Sequence, residues 1–144
     1  MNIAIINGPN LNNLGKRDNS IYGSKSLDEI EKLIQENFSD SSVSLSFYQS
    51  NAEGEIIDHI QNITENTDAI IINPGGLTHY SISLRDCLSD FNGRIIEVHL
   101  SNVFSREEFR KSSYLSDIAV AVVSGLGDYG YELALMGAER YLKK

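Results

Sequence analysis

Short aliphatic runs alternate with amphipathic segments along the whole chain. Five of these runs are short and rich in Ile, Val, Ala and Leu, which is typical of strands buried in a parallel sheet. They span residues 2–6, 43–49, 69–72, 94–100 and 118–123. The second run, VSLSFYQ, alternates apolar with polar residues, and this pattern predicts an edge strand that is covered mainly on one side.

The segments between the strands have the periodicity of amphipathic helices. The first of them begins with Ser26 and Glu29 at capping-box spacing, which is a start signal for a helix. The segment SREEFR, which starts at Ser105, repeats that spacing and predicts a helix between the fourth and fifth strands. The other three helices are predicted over residues 53–65, 78–90 and 129–142.

Strands that alternate with helices predict an α/β fold in which helices cover both faces of a parallel sheet. For 144 residues we predict one domain, residues 1–144, with a flavodoxin-like three-layer sandwich and strand order 2-1-3-4-5. In such sheets ligands bind beyond the carboxyl ends of the strands, at the switch point between strands 1 and 3.

Polar residues gather where the predicted strands end. The strands run into NGPNLN, NPGGLTHY, HLSN and SGLGDYG, so Asn, His, Ser and Gly meet at one rim. The loop 7–23 after the first strand carries Lys16, Arg17 and Tyr22, and loops of this length are usually functional or disordered. We predict the site at this rim, and we expect residues 15–23 to act as a mobile lid over bound substrate.

The charge balance narrows the choice of partners. A formal net charge of −8 argues against nucleic acid and against an anionic membrane, since both require a basic face. A small anionic substrate stays compatible with this charge if a few Arg and His side chains converge. No apolar stretch reaches the length of a membrane span, and no signal peptide is expected.

The single cysteine, Cys87, cannot form an internal disulfide, which suits a reducing, cytoplasmic compartment. Cys87 lies in an apolar-periodic run, where a small buried side chain is the simpler interpretation than a nucleophile. The motif GLGDYG formally matches a dinucleotide fingerprint, but no strand with an acidic residue follows it. The end of strand 1 lacks a flavin phosphate loop, and strand 3 ends in Asn73 rather than a receiver-domain carboxylate.

Two of the three histidines follow strands at the predicted rim. His99 lies two residues after Glu97, and a neighbouring carboxylate can fix the tautomer of a catalytic histidine. His79 is as compatible with a structural role as with a functional one. His59 lies in a predicted helix, where a surface position is expected. The three histidines share no ligand-like spacing, so no metal site is predicted.

Tyr22 and Arg17 form the other candidate pair, five positions apart in the same loop. A free tyrosine titrates near ~10 and needs a nearby cation to act as a base at neutral pH. Arg17 is the candidate cation. From the residues alone, an exposed loop arginine and a packing tyrosine are the simpler interpretation of this pair.

Taken together, the motifs resemble those of the class II 3-dehydroquinate dehydratases. The matching segments are INGPNLN, Arg17 with IYG, QSNAEGEIID, NPGGLTHYS, LRD, EVHLSN, REEFR and SGLGDYGYELAL. They cover essentially the whole chain in the order of the family. The resemblance implies a lyase that converts 3-dehydroquinate to 3-dehydroshikimate by anti elimination through an enolate, without metal or organic cofactor.

The resemblance also implies roles for individual residues. Tyr22 would be the base, as a tyrosinate stabilised by Arg17. His99 would be the acid for the departing hydroxyl, oriented by Glu97, and Asn12 would help to position the catalytic groups.

Substrate binding is implied for a second set of residues. Asn73 would bind substrate and help to hold the water that carries enolate charge. His79, Arg110, and Leu100 and Ser101 would hold the substrate's hydroxyls and carboxylate.

Asp86 would reach the site of a neighbouring subunit, in a homododecamer built of four trimers. The chain departs from the family pattern at Ala52, Asn13 and Phe104, and none of these is a proposed catalytic group. A non-catalytic flavodoxin-like module that binds a small anion or nucleotide is the alternative from another functional class.

Overall fold

The computed structural model describes residues 1–39 and 42–142 of the chain. Five parallel strands form one sheet in the order β2-β1-β3-β4-β5, as predicted. Their bounds are β1 Asn2–Asn7, β2 Ser44–Gln49, β3 Ala69–Asn73, β4 Arg94–His99 and β5 Ala121–Ser124. The second strand lies at an edge, and the switch point lies between β1 and β3. The prediction of a flavodoxin-like α/β fold is therefore confirmed.

Helices cover both faces of the sheet. Their bounds are α1 Asn19–Tyr22, α2 Leu27–Asn37, α3 Glu53–Ile63, α4 Ile82–Ser89 and α5 Tyr129–Leu142. Successive side chains of β1 point to opposite faces, so Ile3 and Ile5 pack with α2 and α5 while Ala4 and Ile6 pack with α3 and α4. Each fully buried Ile contributes about 1.5–3 kcal/mol to this frame, which makes the strand ends a rigid base for a site.

The predicted capping box of α2 is formed in full. The Ser26 hydroxyl accepts from the backbone N–H of Glu29, and the Glu29 carboxylate accepts from the backbone N–H of Ser26. Such a cap stabilises a helix start by about 1 kcal/mol. It begins α2 immediately after the loop that carries Arg17 and Tyr22.

The prediction of a helix between β4 and β5 is wrong. The chain forms two short 3-10 turns instead, Val103–Ser105 and Glu108–Lys111. A helix needs an apolar stripe to bury, whereas Phe104 and Phe109 are both exposed here. Glu108, the glutamate at capping-box spacing from Ser105, accepts from the Lys111 ammonium instead of capping a helix.

Two other elements differ from their predicted bounds by more than two residues at one end. The predicted helix over 78–90 divides into a 3-10 turn, Gly75–His79, and α4, which Ser81 caps through the backbone N–H of Leu84. The fifth strand is Ala121–Ser124 rather than 118–123, because Ile118 and Ala119 form turns on the carbonyl of Leu115. The short helix α1 in the loop after β1 was not predicted.

Candidate active site

The carboxyl ends of β1, β3 and β4 open on one cavity at the predicted switch point. Most of the predicted site residues line it: Arg17, Tyr22, Asn73, His79, His99, Leu100, Ser101 and Arg110. Glu97 lies directly behind His99 on β4. The structure therefore brings together residues from four separate stretches of the chain.

Tyr22 is the last residue of α1, and Arg17 precedes that helix. Asp18 caps α1 by accepting from the backbone N–H of Ser20 at 3.0 Å. The Nη2 of Arg17 donates to the Tyr22 hydroxyl at 3.2 Å, and its guanidinium lies 4.1 Å from the centroid of the Tyr22 ring. The predicted pairing of a cation with the tyrosine oxygen is present. The lid motion of residues 15–23 stays a prediction.

Arg106 is a second cation at Tyr22 that the sequence analysis did not place in the site. Its guanidinium lies 5.3 Å from the Tyr22 ring centroid, and its Nη1 donates to the Ser101 hydroxyl at 3.1 Å. Two guanidinium groups therefore face the ring of one tyrosine. Arg106 is the first residue of the motif REEFR, but the resemblance implied a role only for the last residue, Arg110.

His99 is buried and is held by the fully buried Glu97. The Nε2 of His99 lies 2.7 Å from the Oε1 of Glu97. An ionised carboxylate can only accept, so Nε2 carries a proton and Nδ1 is the ring nitrogen left for substrate. This geometry agrees with the predicted orientation of His99 by Glu97.

A cluster of hydroxyls completes the environment of Glu97. Thr78 donates at 2.5 Å, Ser113 at 2.9 Å and Ser116 at 2.5 Å. Burial alone would raise the pKa of Glu97, but the bonds from His99, Ser116 and Thr78 outweigh it and lower the pKa to about 2. Glu97 is therefore an anion at any working pH.

The hydroxyl cluster of Thr78, Ser113 and Ser116 was missed by the sequence analysis. Ser113 and Ser116 belong to an irregular segment with no helical or strand period, where serine is an ordinary loop residue. Their proximity to Glu97 arises only because the chain folds back between the 3-10 turn at 108–111 and β5.

His79 lies beside His99 at the cavity. The two imidazole centroids are 6.4 Å apart, and the Phe109 ring meets His79 edge-on at 6.2 Å. The Nδ1 of His79 lies 2.7 Å from the carbonyl oxygen of Ser112. A carbonyl only accepts, so Nδ1 carries the proton and Nε2 is left for another partner. His59, by contrast, is half-buried and stacks on Tyr48 at 3.8 Å, away from the cavity.

Besides Glu97, which lies behind His99, two predicted residues do not line the cavity. Asn12 is exposed and lines a separate groove with Lys16. The asparagine at the cavity is Asn10, whose positive φ of 71° is held by a 2.9 Å bond from its backbone N–H to Asn51. We therefore replace Asn12 with Asn10 in the candidate site. Asp86 is exposed on α4, and in its own chain it does not line the cavity.

Three guanidinium groups converge on the cavity of this acidic chain, from Arg17, Arg106 and Arg110. Arg110 is held at 2.7 Å by Glu107, so its fork is already oriented. The convergence matches the expectation of a small anionic ligand. Within residues 1–39 and 42–142 no group of three or more His, Cys, Asp or Glu side chains could hold a metal ion.

Fold and site together define an open α/β protein in which Tyr22 and His99, two side chains able to exchange protons, line a cavity that also holds three guanidinium groups. The family model described as "Dehydroquinase class II" matches residues 1–139. The chain belongs to the class II dehydroquinase family.

Relatives and a solved structure support this membership. A "3-dehydroquinate dehydratase" of Polynucleobacter necessarius is 53% identical over 99% of this chain and 96% of its own length. A "Catabolic 3-dehydroquinase" of Phaeosphaeria nodorum is 51% identical over 98% of this chain and 93% of its own length. The crystal structure of the type II dehydroquinase from Butyrivibrio crossotus has a TM-score of 0.94 and 43% identity, covering 96% of this chain and 97% of that one.

Proposed function

We propose that this chain is a 3-dehydroquinate dehydratase, a hydro-lyase that removes water from 3-dehydroquinate to give 3-dehydroshikimate in the shikimate pathway. The observation that carries the proposal is that the candidate base and the candidate acid share one cavity and have neighbours of opposite charge. Arg17 and Arg106 face the Tyr22 phenol, and the buried Glu97 anion holds His99. No observation favours the alternative of a non-catalytic binding module.

Tyr22 would act as the base. Its phenolate would take a proton from the carbon next to the substrate ketone, and the electrons of that C–H bond would form the enolate. Arg17 and Arg106 would stabilise the phenolate before the transfer. Asn73 would help to hold the water that carries the developing charge on the enolate oxygen, a role of the oxyanion-hole kind.

His99 would act as the acid in the second half of the reaction. As the enolate collapses, the C–O bond to the β-hydroxyl breaks and Nδ1 of His99 would give its proton to the leaving oxygen, which departs as water. The Glu97 anion would stabilise the imidazolium that precedes this step and keep Nε2 protonated throughout. The proton on Tyr22 would then leave through solvent, and His99 would be recharged from solvent.

The rest of the cavity would bind the substrate. Arg110 would pair with the carboxylate through its guanidinium fork. The backbone at Leu100 and Ser101, the Ser101 hydroxyl and the free Nε2 of His79 would bind the substrate's hydroxyl groups. All of these groups line the same cavity as His99.

Further assignments belong to the same proposal. Residues 1–144 would form one catalytic domain that works in the cytoplasm without metal or organic cofactor. The chain would assemble as a homododecamer of four trimers, in which Asp86 reaches a neighbour's site. The structure contains no helix long and apolar enough to span a membrane over the residues that it describes.

The reaction can be followed directly, since the product is a conjugated enone that absorbs where the substrate does not. Purified protein with 3-dehydroquinate, in buffer containing a chelator, should give a rising absorbance. Tyr48 donates its hydroxyl proton to the Glu55 carbonyl and does not line the cavity, so Tyr48→Phe is a matched control and should react like the wild type. No rise from cooperatively folded wild-type protein would refute the proposed function.

A further inference from the structure

A buried chain of polar groups lies beneath the cavity and joins Asn7, Tyr131 and Asn73. All three are nearly inaccessible, with exposed fractions of 1%, 0% and 3%. Asn7 and Asn73 end β1 and β3 in register, so their side chains point to the same face of the sheet. Tyr131, from α5, inserts its hydroxyl between them.

The donors and acceptors that link Asn7, Tyr131 and Asn73 follow one fixed order. The Tyr131 hydroxyl donates its only proton to Oδ1 of Asn7 at 2.5 Å. Its oxygen can then only accept from the amide of Asn73, and it does so from Nδ2 at 3.1 Å. On the other side, Oδ1 of Asn73 accepts from the backbone N–H of Gly75 at 3.2 Å.

We propose that Tyr131 is a positioning residue that fixes the amide of Asn73, so that one N–H of Nδ2 is directed at the cavity. This inference rests on the proposed function, in which Asn73 helps to stabilise the enolate. Nδ2 has two hydrogens, and Tyr131 takes one of them. Because Asn73 lines the cavity, the second is left for substrate or for its bound water.

The reversed amide orientation is excluded by both neighbours. It would bring Oδ1 of Asn73 against the lone pairs of Tyr131 and Nδ2 against the backbone N–H of Gly75. Burial also raises the pKa of Tyr131 far above its ordinary value, so the hydroxyl keeps its proton, and this supports the direction of the chain. Tyr131 does not line the cavity, so it would act only through Asn73.

The test is a double-mutant cycle between Tyr131→Phe and Asn73→Ala. Phenylalanine keeps the packing of the ring and removes only the hydroxyl. We expect Tyr131→Phe to lower kcat about tenfold or more with KM within about twofold, because loss of an oxyanion donor costs about 10²–10³ in kcat and misorientation costs part of that. In the Asn73→Ala background the same substitution should cost less than about twofold.

Tyr48→Phe is the matched control, since it removes a tyrosine hydroxyl outside the site. Unchanged kcat in folded Tyr131→Phe, or an equal loss in both backgrounds, would overturn the inference. If Tyr131→Phe does not fold, Asn7→Ala takes its place: it removes the acceptor that sets the hydroxyl proton and should give the same non-additive loss. Absence of turnover in wild-type protein would instead overturn the proposed function.

Discussion

Replacing Glu97 by glutamine tests the electrostatics of the acid side of the site. Glu97 is completely buried and accepts from His99, Thr78, Ser113 and Ser116. Its pKa falls from an ordinary 4.5 to about 2, which corresponds to about 3 kcal/mol in favour of the ionised group in the folded state. Glutamine keeps the shape of the side chain but removes the charge. Its NH₂ group would face hydroxyls that donate to the carboxylate in the wild type.

The pH dependence of this contribution has a definite sign. A carboxylate whose pKa is lowered by folding stabilises the protein above its unfolded pKa, and the contribution is lost as the pH falls towards the folded pKa. The contribution of Glu97 should therefore be complete above pH ~5 and should disappear between pH ~4.5 and ~2. Other carboxylates titrate in that range, so the difference between wild type and Glu97→Gln is the quantity to measure.

Urea denaturation from pH 7 to pH 2.5 gives this difference. At pH 7, Glu97→Gln should lower the free energy of unfolding by about 3 kcal/mol or more, because a buried donor without an acceptor adds its own cost of about 1–3 kcal/mol. The difference should shrink by about 2–3 kcal/mol towards the acid end. Glu108→Gln, at an exposed carboxylate, should show no such trend. A wild-type–Glu97→Gln difference that stays constant over the whole range would refute this account of Glu97.

The same variant should also be slow in catalysis. A neutral side chain behind His99 no longer stabilises an imidazolium or enforces one tautomer. Loss of the orienting carboxylate in a serine-protease triad costs about 10⁴ in kcat, so about 10²-fold or more is expected here. KM should change little, because Glu97 lies behind His99 and contacts no substrate in the proposed mechanism. A kcat within twofold of wild type, in folded protein, would remove Glu97 from the mechanism.

Four further substitutions address the rest of the site. Tyr22→Phe should lower kcat at least about 10³-fold while calorimetry still detects substrate binding, and retained turnover would remove Tyr22 from the base role. Arg17→Ala should lower kcat about 10²-fold and move the rise of activity to higher pH, so an unchanged pH–rate profile would contradict stabilisation of the phenolate. Asp86→Ala should raise KM several-fold or weaken assembly in sedimentation, whereas a fully active wild-type monomer would exclude a shared site. Asn10→Ala should slow turnover at least about tenfold while Asn12→Ala leaves it within about twofold, and the reverse order would restore Asn12 to the site.

The sheet was predictable because its signals are local and strong. The aliphatic runs ending at Ile6 and Ile72 are too short and too apolar for surface helices, and their alternation with amphipathic segments restricts the topology to few arrangements. Once the order is known, the rule for parallel sheets places Asn73 and His99 at one rim. Periodicity was a poorer guide after β4, where capping-box spacing at Ser105 had no apolar stripe to support it.

Most of the site residues that the sequence did not predict lack a local signal. Ser113 and Ser116 act on Glu97 from an irregular segment, and Tyr131 acts on Asn73 from a helix 58 residues away in sequence. Arg106 is the first residue of the motif REEFR, but which of its two arginines faces Tyr22 depends on a 3-10 turn. Contacts of this kind follow from tertiary packing and not from the pattern of one segment.

The cavity separates charge in a way that the reaction requires. Tyr22 faces the guanidinium groups of Arg17, from its own loop, and of Arg106, from the segment after β4. His99 is instead held by the buried Glu97 anion on the same strand. In the proposed mechanism the base is anionic and the acid cationic at the same pH, and neighbours of opposite charge favour these two states within one cavity. Opening of the proposed lid, residues 15–23, would carry Arg17 away with Tyr22, whereas Arg106 and the Glu97 anion lie outside that segment and would stay in place. Motion of the lid would therefore switch the base and leave the acid in place.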